Sequence, residues 1–279
     1  MNSLYKFIAD PGAVPFLLRG LIRFTPIPEL NDPSELLPNV ILDDVMTSLA
    51  RLRRDGYTND DMINLRHQES LFQRLAPQFQ VVRVPETAGE ATALIRSSFY
   101  DQISTLEQRL NRTALEVSSK VGLFCVSLRY DSLPMWAHYA SNATGLVVEF
   151  VDLEGVFRGD DTGVLSQPLA VRYERDRLGV TFDTNSHESL FFTKFADWSY
   201  EQEVRIVLPL TDCRKKSIGP RDIYVREIPR TCVARLILGW NMHDDVRKAI
   251  QTHLRELVSK VEIVDARVVH GRVTLATSD

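Results

Sequence analysis

The feature that most constrains the fold is a β-strand pattern headed by two glutamates, at residues 200–208 of the segment KFADWSYEQEVRIVLPL. Apolar, mostly β-branched residues recur at every second position from 204 to 208, as in a strand with one face toward the core. Residues two apart on a strand share a face, so Glu201 and Glu203 are predicted to project together. Because like charges repel, the pair is either an exposed strand end that Arg205 neutralises or a functional site.

Composition limits the class of protein. The chain has 279 residues, of which 44% are hydrophobic and 25% charged, an ordinary globular balance with enough length for a sizeable core. The formal net charge of −4 argues against a general nucleic-acid binder. The 3 cysteines are far apart and the 6 histidines form no H-x-x-x-H or H-E-x-x-H pattern, so neither a disulfide framework nor a metal site is predicted.

No segment is expected to meet a membrane. The N-terminus lacks a signal-peptide core, and no apolar run approaches the ~20 residues that cross a bilayer. We therefore expect a soluble cytoplasmic protein with no membrane partner.

The sequence pattern divides the chain into one helical block and flanking regions rich in predicted strands. Apolar residues at helical spacing predict helices over 43–54, 59–75 and 86–112, so residues 41–112 are interpreted as a helical insertion. Elsewhere short helices are predicted at 133–141 and near 188–192, and a strongly amphipathic one at 244–260. Strands are predicted at 4–7, 22–25, 122–128, 146–150, 169–173, 223–227, 233–238, 261–264 and 268–275. Residues 1–279 are therefore predicted to form a single α+β domain with one inserted helical block.

The roles of two segments, residues 24–35 and 51–54, each have two interpretations. Residues 24–35, FTPIPELNDPSE, contain prolines too densely spaced for a helix and are interpreted as a loop and helix cap, with a substrate-facing loop as the alternative. The arginine cluster at 51–54 is interpreted as a solvated helix face, with a site for an anionic partner as the alternative.

Four segments together resemble a bacterial family catalogued as a domain of unknown function. They are LYKF at 4–7, the proline loop at 24–35, the run 124–150 with MWAHYA at 135–140 inside it, and residues 194–206 with WSYEQEVR at 198–205. The Leu-Gly pair at 238–239 accompanies them. Some members of that family accompany phage-defence loci. The resemblance implies a phage-defence or toxin effector.

Three of these regions also resemble the motifs of ADP-ribosyltransferases. FCVS at 124–127, the Y-A pair at 139–140 and GLVV at 145–148 look like their second motif, EQE at 201–203 looks like their E-x-E motif, and LYK at 4–6 stands where they carry L-Y-R. The resemblance implies a mixed, mainly antiparallel β core of the ADP-ribosyltransferase type. It also implies an enzyme that takes NAD as substrate.

The same resemblance implies roles for individual residues. Breaking the nicotinamide–ribose bond develops positive charge on the sugar, which Glu203 would stabilise. Ser127 would orient the glutamate by a hydrogen bond, and Glu201 would position or deprotonate an acceptor. Lys6 would hold the pyrophosphate or a ribose group as a point charge. The aromatic residues that would stack on nicotinamide or wall the site are Tyr5, Trp136, Tyr139, Trp198 and Tyr200.

Each of these residues also has a purely structural interpretation. Lys6 would be an exposed strand residue, and Ser127 a buried hydroxyl bonded to backbone. Trp136 and Tyr139 would be core residues, which is the preferred interpretation for Trp136. A matched substitution, Glu203→Gln, is expected to abolish turnover and keep the fold because it barely changes volume.

Three functions therefore remain in view. The first is mono-ADP-ribosyl transfer or NAD glycohydrolysis, with an unidentified protein, nucleic acid, small molecule or water as acceptor. The alternative is a catalytically inactive nucleotide- or protein-binding module of the same fold. A metal-dependent hydrolase such as a nuclease is the weakest of the three, because no spaced Asp/His ligand set accompanies the glutamates.

Overall fold

The strands and helices are numbered here in chain order from a computed structural model, which describes residues 3–32, 42–75, 84–97, 116, 118–158, 166–175, 191–219, 221–256 and 260–277. The strands are β1 Leu4–Ile8, β2 Leu21–Pro26, β3 Val121–Ser127, β4 Leu146–Phe150, β5 Leu169–Ala170, β6 Arg172–Glu174, β7 Thr193–Phe195, β8 Glu203–Pro209, β9 Arg214–Ile218, β10 Arg221–Glu227, β11 Val233–Leu238, β12 Glu262–Val269 and β13 Arg272–Thr277. The α-helices are α1 Val14–Leu17, α2 Leu42–Asp55, α3 Asn59–Leu75, α4 Ala88–Ser97, α5 Leu133–Tyr139, α6 Leu153–Arg158 and α7 Asp244–Glu256.

One large sheet organises the described residues, and it forks at β3. The strand order is β13-β12-β11-β4-β1-β3-β2-β10-β9, while β8 pairs with β3 and β5 pairs with β8. Along one edge, β3 pairs with β8 over its whole length. The other edge of β3 is shared: Ser127 pairs with Tyr5 of β1, whereas Leu123 pairs with Thr25 of β2. The chain thus leaves a gap in the sheet where β1 and β2 part.

Most pairs in this sheet are antiparallel, as predicted. The exception is β11 with β12, which run parallel and are connected through α7. A separate two-stranded pair, β6 with β7, is also parallel. The predicted mixed α+β class with a mainly antiparallel sheet is therefore confirmed.

The sheet buries apolar residues on both faces, because alternate positions of its strands belong to different clusters. Leu4, Phe124 and Val148 belong to the cluster on one face. On the other face Phe7 belongs to a second cluster and Leu123 to a third. The polar site described below lies on this second face, at Ser127 and Cys125 of β3, beside the two apolar clusters.

Most predicted elements are present, with shifts of a few residues at their ends. The strands predicted at 146–150 and 233–238 have those bounds, and His270 and Gly271, both at positive φ, form the turn between β12 and β13. The predicted strand at 169–173 is interrupted at Val171. The helix predicted near 188–192 falls largely outside the described residues, as does the second half of the one predicted at 86–112.

The described helices of 41–112 lie where predicted, and the arginine cluster is engaged within them. Arg51 pairs with Asp61 over 3.0 Å, and Arg53 donates to the carbonyl of Ile95 over 3.2 Å. Arg51 and Arg53 are thus half-buried and bonded within the helical block, and of the cluster's arginines Arg54 is the exposed one, so the predicted solvated face holds for Arg54. The division into one domain with a helical insertion stays a prediction.

Candidate functional site

The site is a cavity of about 110 Å³ in the gap where β1 and β2 part from β3. Segments far apart in sequence supply its walls: β1, the loop after β2, β3, α5 and the segment from β7 to β8. The residues that give it polar or ionisable groups are Tyr5, Lys6, Thr25, Asn31, Cys125, Ser127, Tyr139, Lys194, Glu201 and Glu203. Six of the site residues named from sequence therefore line one cavity: Tyr5, Lys6, Ser127, Tyr139, Glu201 and Glu203.

The backbone around the two glutamates differs from the prediction of one continuous strand. Glu201 ends a 3₁₀ helix, Ala196–Glu201, and β8 begins only at Glu203. Gln202 between them adopts the left-handed conformation, with φ 43° and ψ 53°. A side chain with a Cβ is strained in that region, so the surrounding structure must hold it there. Strand alternation is therefore the wrong reason for their convergence, although both carboxylates do line the cavity.

Both carboxylates are buried, at 3% exposure for Glu201 and 5% for Glu203. Two cations accompany them, Lys194 at 8% and Arg205 at 1%. Lys194 Nζ lies 2.8 Å from Glu201 Oε2 and 3.5 Å from Glu203 Oε2. Arg205 donates from Nε and Nη2 to the two oxygens of Glu203, each over 2.8 Å. The exposed-strand-end interpretation is thus wrong about exposure but right that Arg205 neutralises one glutamate.

For Glu203 and Lys194 alike, burial and the neighbouring charges have opposite effects on the pKa. Burial raises the pKa of Glu203, and the charges of Lys194 and Lys6 oppose that rise. For Lys194, burial lowers the pKa, but Glu203 and Glu201 outweigh it, so the net shift is upward. Lys194 therefore stays charged between the carboxylates, while Glu203 takes up a proton more readily than an exposed glutamate.

Glu203 has two further neighbours. Its backbone N–H donates to Tyr173 Oη over 2.8 Å, and burial raises the pKa of that phenol to about 12. Burial, together with the charge of Glu203, raises the pKa of the Cys125 thiol well above its usual value. Cys125 is therefore a neutral neighbour of the carboxylate rather than a thiolate nucleophile.

Glu201 is held by Tyr139, which donates to its Oε1 over 2.5 Å. Asn31 Nδ2 in turn donates to Tyr139 Oη over 2.8 Å. Burial and the bond to Glu201 both raise the pKa of Tyr139, so the phenol keeps its proton. Tyr139 is therefore a hydrogen-bond donor to a catalytic candidate, a role that neither the stacking nor the core interpretation included.

Ser127 and Lys6 contact backbone rather than carboxylates. Ser127 Oγ donates to the carbonyl of Glu201 over 2.6 Å, so it fixes the main chain of that residue and not its side chain. Lys6 Nζ donates to the carbonyl of Cys125 over 2.7 Å and lies 5.5 Å from the centroid of the Phe124 ring. Lys6 makes no ion pair with a carboxylate of the described chain, yet its head group lies in the cavity wall.

The aromatic residues named from sequence separate into three groups. Tyr5 and Tyr139 line the cavity. Trp136 is fully buried, packs against Phe7 and Trp240 and does not line the cavity, which favours the core interpretation. Trp198 lies outside the lining, where its ring meets Lys194 Nζ at 4.8 Å. It supports a site cation rather than contacting the cavity directly.

Sequence reasoning missed Lys194 and Asn31 as site residues. A signal for Lys194 was present, because two buried carboxylates need compensating cations and few lie nearby in sequence. Asn31 belongs to the N-D-P element of the proline loop, and the structure brings both Asn31 and Thr25 to the cavity. That result favours the interpretation of this loop as part of the site.

In the part of the chain that the structure describes, no group of three His, Cys, Asp or Glu residues could hold a metal ion, and no helix is long and apolar enough to cross a membrane.

Comparison with known families gives one match. Residues 135–206 are similar to the family described as "Protein of unknown function (DUF2971)". The match supports the expected likeness to a domain-of-unknown-function family, and the matched span carries Tyr139, Lys194, Glu201, Glu203 and Arg205. The comparisons with curated proteins and with solved structures give no match.

Proposed function

We propose that the protein is an NAD-consuming enzyme that breaks the nicotinamide–ribose bond and transfers ADP-ribose to an acceptor or to water. The observation that carries the proposal is the convergence of Lys6, Ser127, Glu201 and Glu203 on one cavity. These residues come from three separate parts of the chain, and each lies in a segment that resembles a motif of ADP-ribosyltransferases.

The reaction begins with cleavage of a C–N bond. The bonding pair leaves with nicotinamide, whose ring nitrogen becomes neutral, and positive charge develops on the ribose carbon and ring oxygen. A hydroxyl or other nucleophile of the acceptor then bonds to that carbon and gives up a proton. The site must therefore stabilise a transient cation and accept a proton from the acceptor.

Glu203 is suited to the first task. Arg205 fixes the carboxylate through both oxygens, so its orientation is set before the substrate arrives. A carboxylate has about four acceptor positions, of which Arg205 takes two and Lys194 contacts a third, so one is left for a ribose hydroxyl. A carboxylate held in place in a dry site stabilises positive charge more effectively than one in water.

Glu201 is suited to the second task. It shares Lys194 with Glu203 and receives a hydrogen bond from Tyr139 at the cavity wall. Its carboxylate is an acceptor for the proton that an incoming nucleophile loses. Ser127 restrains the backbone of this residue next to the strained Gln202.

Lys6 supplies charge for the anionic part of NAD. Its ammonium has three donors, of which the carbonyl of Cys125 takes one. Because the other cations of the cluster, Lys194 and Arg205, already contact glutamates, Lys6 is the cation best placed for a phosphate. A lysine would bind it as a point charge, without the two-pronged geometry of arginine.

One observation favours a second function. The buried cations and carboxylates already satisfy one another, which is also what a stable, non-catalytic scaffold needs. The second candidate is therefore a module that binds a nucleotide or a protein in the cavity without turnover.

The test is to measure nicotinamide release from NAD by the purified protein, alone and with cell extract as an acceptor source, alongside NAD binding by calorimetry. The proposal predicts both binding and release. Binding without release would establish the module, and neither would refute both nucleotide functions. Addition of a chelator distinguishes NAD cleavage from the metal-dependent hydrolase, because the proposed cleavage continues in its presence whereas a metal-dependent activity is lost.

A further inference from the structure

Two consecutive residues of the loop after β2 reach the two carboxylates through one intermediate residue each. Asn31 donates to Tyr139, which donates to Glu201. Asp32, at 8% exposure, acts by its charge on Arg205, which holds Glu203. The loop is therefore connected to both members of the carboxylate pair.

The directions of the hydrogen bonds in the first connection are determined by chemistry. A phenol has a single hydrogen, and the Glu201 carboxylate, which pairs with Lys194, accepts it over 2.5 Å, so the Tyr139 hydrogen points to Glu201. The Tyr139 oxygen must then accept from its other neighbour. Asn31 satisfies it only by presenting the amide N–H, which fixes the orientation of the Asn31 side chain.

The connection runs from the surface into the interior. Asn31 is exposed, Tyr139 is partly buried and Glu201 is buried, and all three line the cavity. The 2.5 Å bond to Glu201 is short, as bonds to an ionised acceptor are, and such bonds restrain direction more strongly than neutral ones. Without Asn31, Tyr139 loses the partner that sets its hydroxyl direction.

We propose that Asn31 is a positioning residue that acts through Tyr139 to hold the Glu201 carboxylate in its cavity-facing orientation. The inference rests on the proposed function, since it assigns a task to Glu201 during turnover. It accounts for the presence of an amide at position 31: aspartate has the same shape but lacks the donor that Tyr139 requires.

The first experiment measures kcat and KM of nicotinamide release for Asn31→Ala, Asn31→Asp, Asn31→Gln, Tyr139→Phe and the double variant Asn31→Ala/Tyr139→Phe. Misplacing a reacting group lowers the rate by up to about 100-fold, so we expect kcat to fall about 10- to 100-fold with KM unchanged. The double variant should be no slower than Tyr139→Phe alone, because both changes remove one connection. Asn31→Gln, which keeps an amide donor, should recover part of kcat, and Asn31→Asp should not.

A matched control is Glu29→Gln, in the same loop, since Glu29 pairs with Arg23 and not with Tyr139. It should leave kcat and KM unchanged. A rise in KM for Asn31→Ala would mean that Asn31 contacts substrate directly, and multiplicative losses in the double variant would mean that it acts independently of Tyr139. Either result overturns the inference.

A second measurement separates this inference from the proposed function. The thermal unfolding midpoints of wild type, Asn31→Ala, Tyr139→Phe and the double variant report whether Asn31 and Tyr139 act as one unit, whatever the activity. If wild type releases no nicotinamide, the proposed function fails. The link between Asn31 and Tyr139 is then supported by a double variant whose midpoint equals that of Tyr139→Phe, and overturned by additive shifts.

Discussion

Arg205 holds Glu203 in a two-pronged ion pair, Nε to Oε1 and Nη2 to Oε2, each over 2.8 Å. The two residues lie two positions apart on β8 and therefore share a face of the strand. A third bond, from Arg205 Nη1 to the carbonyl of Phe191 over 2.8 Å, ties the guanidinium to the segment before β7. A catalytic candidate and its counter-ion thus come from the same strand, and the pair affects both stability and chemistry.

Removing the cation of this pair should destabilise the protein strongly. Burial lowers the pKa of Arg205, and the charge of Asp32 opposes that shift, so the guanidinium already depends on its neighbours. Breaking a buried ion pair by removing one partner typically costs about 3–5 kcal/mol, and we expect that loss for Arg205→Met in urea unfolding. Removing both charges, in Arg205→Met with Glu203→Gln, should recover much of it. A single variant as stable as wild type would show that the pair contributes nothing.

Activity and stability should depend on pH in opposite senses through Glu203. Burial raises its pKa above the ordinary 4.5, so between the ordinary and the raised value the folded protein binds more protons than the unfolded chain. The Glu203 contribution to stability is therefore fully present at low pH and is lost as the pH rises through the raised pKa. Turnover needs the ionised form, so kcat should fall as the pH drops through the same window.

The measurement for this prediction is kcat against pH, with the unfolding free energies of wild type and Glu203→Gln followed over the same range. Lys194→Met provides an internal check, because the lysine charge lowers the Glu203 pKa. Its removal should move the acid limb of kcat to higher pH. An acid limb that stays in place would mean that Glu203 does not control it.

Lys6 should matter for affinity more than for rate. A hydrogen bond to a charged group contributes about 1.5–3 kcal/mol, so Lys6→Met should weaken NAD binding by about 10- to 100-fold in calorimetry. Lys6→Arg keeps the charge and should retain most of the affinity. Lys215→Met is the control, since Lys215 is exposed and pairs with Asp222 away from the cavity. Unchanged affinity for Lys6→Met would remove Lys6 from the phosphate site.

Trp136 should behave as a core residue. It is fully buried, and its Nε1 donates to the carbonyl of Tyr130 over 2.7 Å. Trp136→Ala should lower the free energy of unfolding by about 3–5 kcal/mol while the folded fraction keeps its NAD affinity. Trp198→Ala, at a partly exposed ring, should cost less stability. The reverse order in urea unfolding would contradict the assignment of Trp136 to the core.

The elements with strong local patterns were predictable from sequence. The bounds of β4 and β11 follow from continuous or alternating apolar runs, and the turn at His270 and Gly271 follows from local turn chemistry. Strand β9 was missed because Arg214–Ile218 is a charged strand at the edge of the described sheet, where it pairs with β10. It buries too little to leave an apolar pattern in the sequence.

The site was predictable in its carboxylates but not in its connections. The E-x-E pattern predicted that Glu201 and Glu203 belong to the site, but it also predicted a regular strand. The chain instead forms a 3₁₀ helix that ends at Glu201, followed by Gln202 in the left-handed conformation. Lys194 lies seven residues before Glu201 but on a different element, β7, and Asn31 contacts Tyr139 across 108 residues of sequence. No local periodicity encodes such a contact.

The ion pair between Glu203 and Arg205 also affects the choice of catalytic variants. Volume alone suggested that Glu203→Gln keeps the fold, but the two-pronged pair with Arg205 adds a structural role that a volume argument omits. Glu201→Gln needs the same care, because Glu201 pairs with Lys194 over 2.8 Å, although an amide still offers Tyr139 an acceptor. Folding of each variant should be verified by circular dichroism before its activity is compared.

The proposed NAD cleavage is decided by the rate of nicotinamide release from NAD by wild type, Glu203→Gln and Glu201→Gln at equal concentrations of folded protein. Glu154→Gln, at an exposed glutamate paired with Arg158, is the matched control. The account predicts release by wild type and the control, and its loss by at least about 100-fold in Glu203→Gln, as when one preorganised stabilising group is removed. Equal release by Glu203→Gln and wild type would contradict the account.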